Sequence, residues 1–308
     1  MRTSPDYGKV IEQIYKDLNQ WERTGKVADY IPVLAEVDPN HYGISVQTLA
    51  GESFHIGDTK TAFSIQSISK VFTLALVFHH LVEDLWKSVG REPSGTPFNS
   101  LIQLESEQGI PRNPMINAGA LVVTDRLMNY FQDPKEELLS FVRCVSNNPN
   151  VDYDERVAAS ELENSDRNRA LAHFMKSYGN IHNEVDALMD AYCHQCSLKM
   201  NTEDLAKSFQ VLVNHGTNPW TGNQLLTLSQ AKRLGAVLMT CGFYDESGDF
   251  AFRVGMPGKS GVGGGVVAYI PNVLSIAVWS PALNPHGNST LGIETLERFT
   301  TMIGDSVF

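Results

Sequence analysis

Strand-forming segments are confined to the two ends of this 308-residue chain, and that restricts the fold more than any other feature of the sequence. Near the N-terminus, residues 43–49 (GISVQTL) and 53–56 are strand-like, and Ala50-Gly51-Glu52 between them signals a hairpin. After Tyr244, strand-like runs rich in Val, Ile and aromatics return at residues 250–254, 265–270 and 274–280, with Pro271-Asn272 turning between the last two. From Arg91 to about Thr240 the periodicity is helical, at residues 138–145, 166–178, 184–192, 202–214 and 230–239. Residues 10–21 and 290–302 are amphipathic helices at the two ends, the first stopping near Gly25. The economical fold is α/β of the α+β type: one antiparallel sheet built from both chain ends, flanked by the terminal helices, with an all-helical insert. Residues 1–90 with 245–308 would form a sheet-containing lobe and 91–244 a helical lobe, with a ligand cleft between them.

The helix expected to follow the hairpin and run to about Trp86 opens at FSIQSISKVFTL, residues 63–74. Its polar stripe is narrow: Gln66, Ser67, Lys70 and Thr73, beside apolar Ile68, Val71, Phe72, Ala75, Leu76 and Phe78. Residues three apart share a helix face, so Ser67 faces Lys70, whereas Ser64 and Ser69 are badly spaced for it. A serine hydroxyl is a weak nucleophile until a base takes its proton. A lysine holds its proton near pKa ~10.4, and desolvation among apolar neighbours can lower that by up to ~3–5 units. Ser67 and Lys70 therefore match the S-x-x-K arrangement of a serine nucleophile and its base. The alternative is a first-turn serine with a lysine that snorkels to water. Spacing alone does not decide, because Ser229-Gln230-Ala231-Lys232 repeats it, with Ser229 placed as a helix N-cap and Lys232 beside Arg233 on a wet face.

Residues 255–265, GMPGKSGVGGG, do not form a phosphate loop, since Arg253 stands where that motif needs glycine. Lys259-Ser260-Gly261 does match the K-[ST]-G companion of S-x-x-K in acyl-serine enzymes. A backbone N–H in this glycine stretch, together with that of Ser67, could form an oxyanion hole. The alternative is a glycine-rich turn carrying an ordinary surface lysine.

A net charge of −11 with no basic block excludes a nucleic-acid binder. Residues 1–18 lack the apolar core of a signal peptide, and the longest apolar run is far short of a membrane span. A soluble, cytoplasmic protein with reduced cysteines at 144, 193, 196 and 241 is expected. Cys193-His194-Gln195-Cys196 is a lone C-x-x-C without a second ligand pair, so no metal is expected. His79-His80 reads as a helix C-terminal turn. Asn117 falls in a Pro/Asn/Gly-rich turn, and Glu161 and Asn168 would share a face of one continuous helix whose default role is a solvated surface. Tyr30, Tyr192 and Tyr244 are, taken singly, packing residues.

Together, FSIQSISKVF, IPRNPMINAGAL (residues 110–121), residues 161–168 and KSGVGGG resemble the serine-dependent glutaminases of bacterial type, over about residue 25 to the end. That resemblance implies a β-lactamase/transpeptidase-like fold and hydrolysis of L-glutamine to L-glutamate and ammonia through a γ-glutamyl-serine intermediate. By position it implies Ser67 as nucleophile, Lys70 as base and Tyr244 as proton relay to the leaving ammonia. Glu161 would hold the substrate ammonium, and Asn117, Asn168 and Tyr192 the amino-acid end, with Tyr30 nearby. Backbone N–H groups of Ser67 and Val262 would bind the oxyanion, and Lys259 is a further candidate without an assigned role. The resemblance further implies no cofactor and a homodimer or homotetramer. Two rivals remain at this point: another acyl-serine hydrolase on the same fold, and an amino-acid sensor that uses Ser67 only as a hydrogen-bond donor.

Overall fold

The structure, a computed structural model, describes residues 5–81, 84–95 and 101–308. Helix α1 (Tyr7–Leu18) starts where Asp6 accepts the Lys9 amide at 3.1 Å, and it buries Ile11, Ile14 and Leu18 along one face. Strands β1 (Gly43–Thr48) and β2 (Ser53–Gly57) form the expected hairpin. The short strand β3 (Phe63–Ser64) leads through a 3-10 turn, Gln66–Ile68, into helix α2 (Ser69–Leu81). Helices α3 (Leu101–Ser106), α4 (Asn117–Tyr130) and α5 (Pro134–Ser146) follow, then strand β4 (Asp152–Tyr153). Helices α6 (Glu155–Glu163), α7 (Asp166–Ser177) and α8 (Val185–Cys196) precede strand β5 (Leu198–Met200). Helices α9 (Thr202–Ser208), α10 (Gln210–Val213), α11 (Leu228–Cys241) and α12 (Ser247–Arg253) come next. Strands β6 (Gly258–Ser260), β7 (Gly265–Ile270) and β8 (Leu274–Trp279) and helix α13 (Thr290–Ile303) close the chain.

The main sheet has the order β2-β1-β8-β7-β6 and is antiparallel throughout. N-terminal β1 pairs with C-terminal β8 from Gly43↔Trp279 to Thr48↔Leu274, so both chain ends build one sheet, as expected. Every residue of β1, β7 and β8 is buried, which requires cover on both faces. On one face Ile44, Val46, Val266, Ile276 and Val278 pack with Ile11 and Ile14 of α1 and with Leu296 and Phe299 of α13. On the other face Val267, Tyr269 and Ala277 join the large core of the helical segment, with Phe209 and Leu212. Polar groups there are matched across the layers. Ser45 Oγ meets Thr202 Oγ1 at 2.7 Å, and the Gln210 amide donates to Gln47 O and Ser275 Oγ, both at 2.8 Å.

Several expectations need correction. The central segment is not all helical, because β4 and β5 pair with β3 in a second antiparallel sheet ordered β3-β5-β4. Strands of two and three residues are too short to leave a periodic trace. Residues 250–254 are not a strand. They lie in and just beyond α12, where Phe250 stacks on Phe243, Phe252 is 90% exposed, and Asp249 pairs with Arg253 one turn on at 3.6 Å. The run 202–214 breaks at Phe209 into α9 and α10. Trp86, where the helix is expected to end, lies in a 3-10 turn, Asp84–Lys87, and the described residues of α2 run to Leu81; residues 82 and 83 lie outside the described residues. The N-cap of α11 is Thr227, reciprocally bonded with Gln230, not Ser229.

Helix α4 packs so closely on the turn before it that a side chain at Gly119 would overlap the Asn113 carbonyl oxygen. Gly119→Ala is expected to destabilise the fold by about 1–3 kcal/mol, read as a lower denaturant midpoint. An unchanged midpoint would contradict the close approach.

Candidate active site

Ser67 sits in the 3-10 turn between β3 and α2, and hydrogen bonds fix that turn from both sides. Ile65 N–H donates to Leu198 O at 2.9 Å, Ile68 N–H to Ile65 O at 3.1 Å, and Ser69 Oγ to Gln66 O at 2.7 Å. Gln66, immediately before the serine, has φ +50°, a left-handed conformation that a residue with a Cβ adopts only under constraint. The glycine stretch explains part of that constraint. A side chain at Gly261 would overlap Ile65 O, and one at Gly263 would overlap Ser64 O. Val262, between the two, is therefore pressed onto the turn that carries Ser67.

Lys70 lies in the first turn of α2 and is fully buried. Its ammonium donates to Met115 O at 3.1 Å and to Asn117 Oδ1 at 2.8 Å, so it does not snorkel. Desolvation brings its pKa down to about 8, against the opposing pull of Cys196 and Glu161. The Asn117 amide in turn donates to Asn168 Oδ1 at 3.0 Å, which links Lys70, Asn117 and Asn168 in one chain. Asn117 is the first residue of α4 and not part of a turn. The turn belongs to Asn113, whose Oδ1 accepts the Met115 and Ile116 amides at 3.0 and 3.2 Å.

Glu161 is only 8% exposed, contrary to the solvated face expected for it. Burial pushes its carboxyl up to about 7, against hydrogen bonds from Cys196 and Gln66 and the charge of Lys70; the Gln66 Nε2 contact measures 3.4 Å. Glu161 and Asn168 do not share one helix, because the chain breaks between α6 and α7, yet both reach the same pocket.

Tyr244 has φ +57° and is buried, and its hydroxyl is hydrogen-bonded with Ser67 and Ser260. Burial raises its pKa to about 12. Lys259 on β6 is fully buried, so it is no surface lysine. Its Nζ donates to Ser260 O at 2.6 Å and stands 4.3 Å from the centre of the Tyr244 ring. Desolvation first, and then the charge of Lys70, hold Lys259 well below the usual lysine range.

A pocket of about 180 Å³ brings together Tyr30, Ser67, Asn117, Glu161, Asn168, Tyr192, Tyr244 and Val262. Lys70 stands behind Asn117 and Lys259 behind Tyr244, outside this lining. Tyr30 is 54% exposed at the rim. Sequence reasoning missed Arg167 and Cys196 as lining residues, and saw Gln66 only as part of a polar stripe. Cys196 is half of the C-x-x-C, but both of those thiols are buried and their pKa values are raised by burial. Among the described residues no group of His, Cys, Asp and Glu is placed to hold a metal ion, and no helix is long and apolar enough to cross a membrane.

The pocket offers a serine hydroxyl, one buried carboxylate and several neutral amides and phenols, with the poised amine of Lys70 behind Asn117. Residues 25–308 match the glutaminase family model. A glutaminase of Ralstonia nicotianae is 52% identical over 303 residues, covering 98% of this chain and 100% of the relative. The chain belongs to the glutaminase family. Its activity is that of a hydrolase acting on an amide carbon–nitrogen bond, with glutamine as substrate. Among solved structures, the probable glutaminase ybaS superposes with a TM-score of 0.92 at 34% identity, covering 98% of each chain. Mglu in its glutamate form gives 0.91 at 32%, covering all of this chain and 70% of that one. The fold is accordingly the β-lactamase-like fold of glutaminases.

A carboxyl whose pKa is raised on folding contributes stability that is complete below the unfolded value and is lost as pH rises to the folded value. For Glu161 those limits are 4.5 and about 7. Glu161→Gln is therefore expected to raise the thermal midpoint of the ligand-free glutaminase at pH 8, by roughly 1–3 kcal/mol of stability, with no gain near pH ~4. Equal midpoints at both pH values would show that Glu161 is not strained by burial.

Proposed function

We propose that this glutaminase works through a γ-glutamyl ester on Ser67. The observation that carries the reading is one pocket in which a strained serine turn meets a buried lysine system on one side and a buried carboxylate on the other. Residues 1–90 with 245–308 supply Tyr30, Ser67 and Val262. Residues 91–244 supply Asn117, Glu161, Asn168, Tyr192 and Tyr244, so the pocket is read as the cleft between two lobes.

In the resting pocket Tyr244 bridges to the Ser67 hydroxyl, and Lys70 is the nearby amine whose proton is easily lost. The Ser67 proton moves to this pair as Oγ attacks the amide carbon. Backbone N–H groups of Ser67 and Val262 receive the developing oxyanion. Tyr244 returns the proton to the leaving nitrogen, the C–N bond breaks, and ammonia departs. Water then attacks the ester with the same base and releases glutamate and Ser67. Glu161 receives the α-ammonium, which makes its buried carboxylate favourable again. Asn117, Asn168 and Tyr192 hold the amino-acid end, with Tyr30 at the mouth. Lys259 supports Tyr244 from behind. The crystal form of Mglu with glutamate supports a pocket that accepts the product.

Ser67→Ala is expected to lower ammonia release by roughly 10³-fold or more, and Lys70→Ala by about 10²–10⁴-fold, both in a coupled assay. Acid-quenched wild-type enzyme should carry a glutamyl adduct on the Ser67 peptide. Normal turnover by Ser67→Ala would end the acyl-enzyme reading. The pH dependence follows from two groups that must lose protons, Glu161 at about 7 and Lys70 at about 8. kcat/KM should rise across that interval with macroscopic values belonging to the coupled pair. A profile that falls between those values would contradict the assignment.

A further inference from the structure

Helix α11 turns one face, Lys232, Gly235, Ala236 and Met239, toward β6 and β7, and a cavity of about 270 Å³ lies along that face. It shares no lining residue with the substrate pocket. Leu212, Pro257, Pro271 and Val307 complete its apolar walls, and Tyr269 of β7 also lines it. The ring of Tyr269 sits in the core, 6.4 Å from that of Phe209, and the residue is only 3% exposed. Its hydroxyl nevertheless has no hydrogen-bond partner among the described residues. That oxygen abuts α11 at Gly235, where a Cβ would stand 2.5 Å from it, so the missing side chain leaves the hydroxyl open to the cavity. A buried hydroxyl without a partner is uncommon and costly, and it calls for a partner that the chain itself does not supply.

We propose that this cavity is a second ligand site, which binds a small neutral aromatic molecule carrying one hydrogen-bonding group matched to the Tyr269 hydroxyl. An apolar cavity of roughly 150 Å³ is large enough for benzene, so this one has room for a fused bicyclic ring. Met239 offers its thioether to a ring edge. Charge is selected against. Among the described residues no carboxylate lines the cavity to hold a cation, and the His215 ring is already bonded to Asn272 at 2.7 Å. Lys232 is exposed, so its ammonium remains in water and does not follow an anion inward. The site also has a route to the substrate pocket. Helix α11 ends at Cys241, and the next residue, Gly242, accepts the Ser260 amide at 3.3 Å. Ser260 in turn is hydrogen-bonded with Tyr244. A ligand between α11 and the strands therefore bears on the contact that holds Tyr244, and its binding is coupled to turnover without occupying the glutamine site. The binding site is independent of the acyl-enzyme reading above; the coupling rests on it, through Tyr244.

The test uses indole and indene, which share a shape and differ in one N–H, titrated calorimetrically into the intact enzyme with saturating glutamate in the substrate pocket. Wild-type enzyme is expected to bind indole about three- to tenfold more tightly than indene, the margin of one hydrogen bond. Tyr269→Phe removes only an oxygen that bonds nothing in the fold. It should keep or raise the thermal midpoint and bind the two ligands equally within about twofold. Ala236→Trp, which fills the cavity, should weaken both by about tenfold or more. Saturating indole should change kcat for glutamine by about twofold or more in the wild type, with KM within about twofold, and leave Ala236→Trp unaffected. No binding of indole by the wild type, or a preference for indole that survives Tyr269→Phe, would overturn the site. A lower midpoint for Tyr269→Phe would overturn it as well, by showing that the hydroxyl has a partner in the fold. Binding that leaves kcat unchanged would overturn the coupling. Failure of the acyl-enzyme reading is separately visible as glutamine turnover that survives Ser67→Ala.

Discussion

The pairing of β1 with β8 is the contact on which the rest of the molecule depends. It joins residues 43–48 to residues 274–279 and so closes the chain on itself. Once β8 is fixed, β7 and β6 follow by antiparallel pairing, and the glycine stretch between β6 and β7 has one place to go. That place is against the carbonyls of Ser64 and Ile65, in a backbone-to-backbone approach that only glycine permits. The strain at Gln66 and Tyr244 is held by this framework, not by local preference. The sheet thus positions a serine that belongs to none of its strands.

A second organising principle is the removal of water from ionisable groups. Lys70, Lys259 and Glu161 are all buried, and each is pushed toward its neutral form. In bulk water the same three groups would be two cations and an anion with ordinary acidities. Burial costs stability, and the protein offsets it with specific hydrogen bonds, such as those from Lys70 to Met115 O and Asn117 Oδ1. What results is a site whose amine gives up its proton close to neutrality and whose carboxylate is best satisfied when a cationic ligand arrives.

The parts of this architecture legible in the sequence were those with a long period or a sharp chemical contrast. The hairpin at 43–57, the paired strands at 265–279 and the lysine set among apolar residues of α2 all carried such signals. Residues 250–254 misled because their composition is strand-like while their burial alternates around a helix, with Phe250 in and Phe252 out. Glu161 reads as a solvated residue because its segment is charged on average, and average charge says nothing about one side chain turned inward. Arg167 and Cys196 left no signal, since lining a pocket depends on how α7 and α8 are set, which no local pattern records. The pocket residues come from segments scattered along nearly the whole chain. Their convergence could be inferred from resemblance but not from spacing.

The closing of the sheet by the last strands has a consequence for how the protein is made. A growing chain carries Ser67 and Lys70 early, but the strand that receives β1 and the glycines that press on the serine turn are synthesised near the end. Until then the serine turn lacks its brace and β1 lacks a neighbour on its inner edge, which is an exposed strand edge of the kind that invites wrong partners. Hydrolytic competence is in this sense a property of the completed chain. The burden of protecting the unfinished molecule falls on whatever accompanies it off the ribosome.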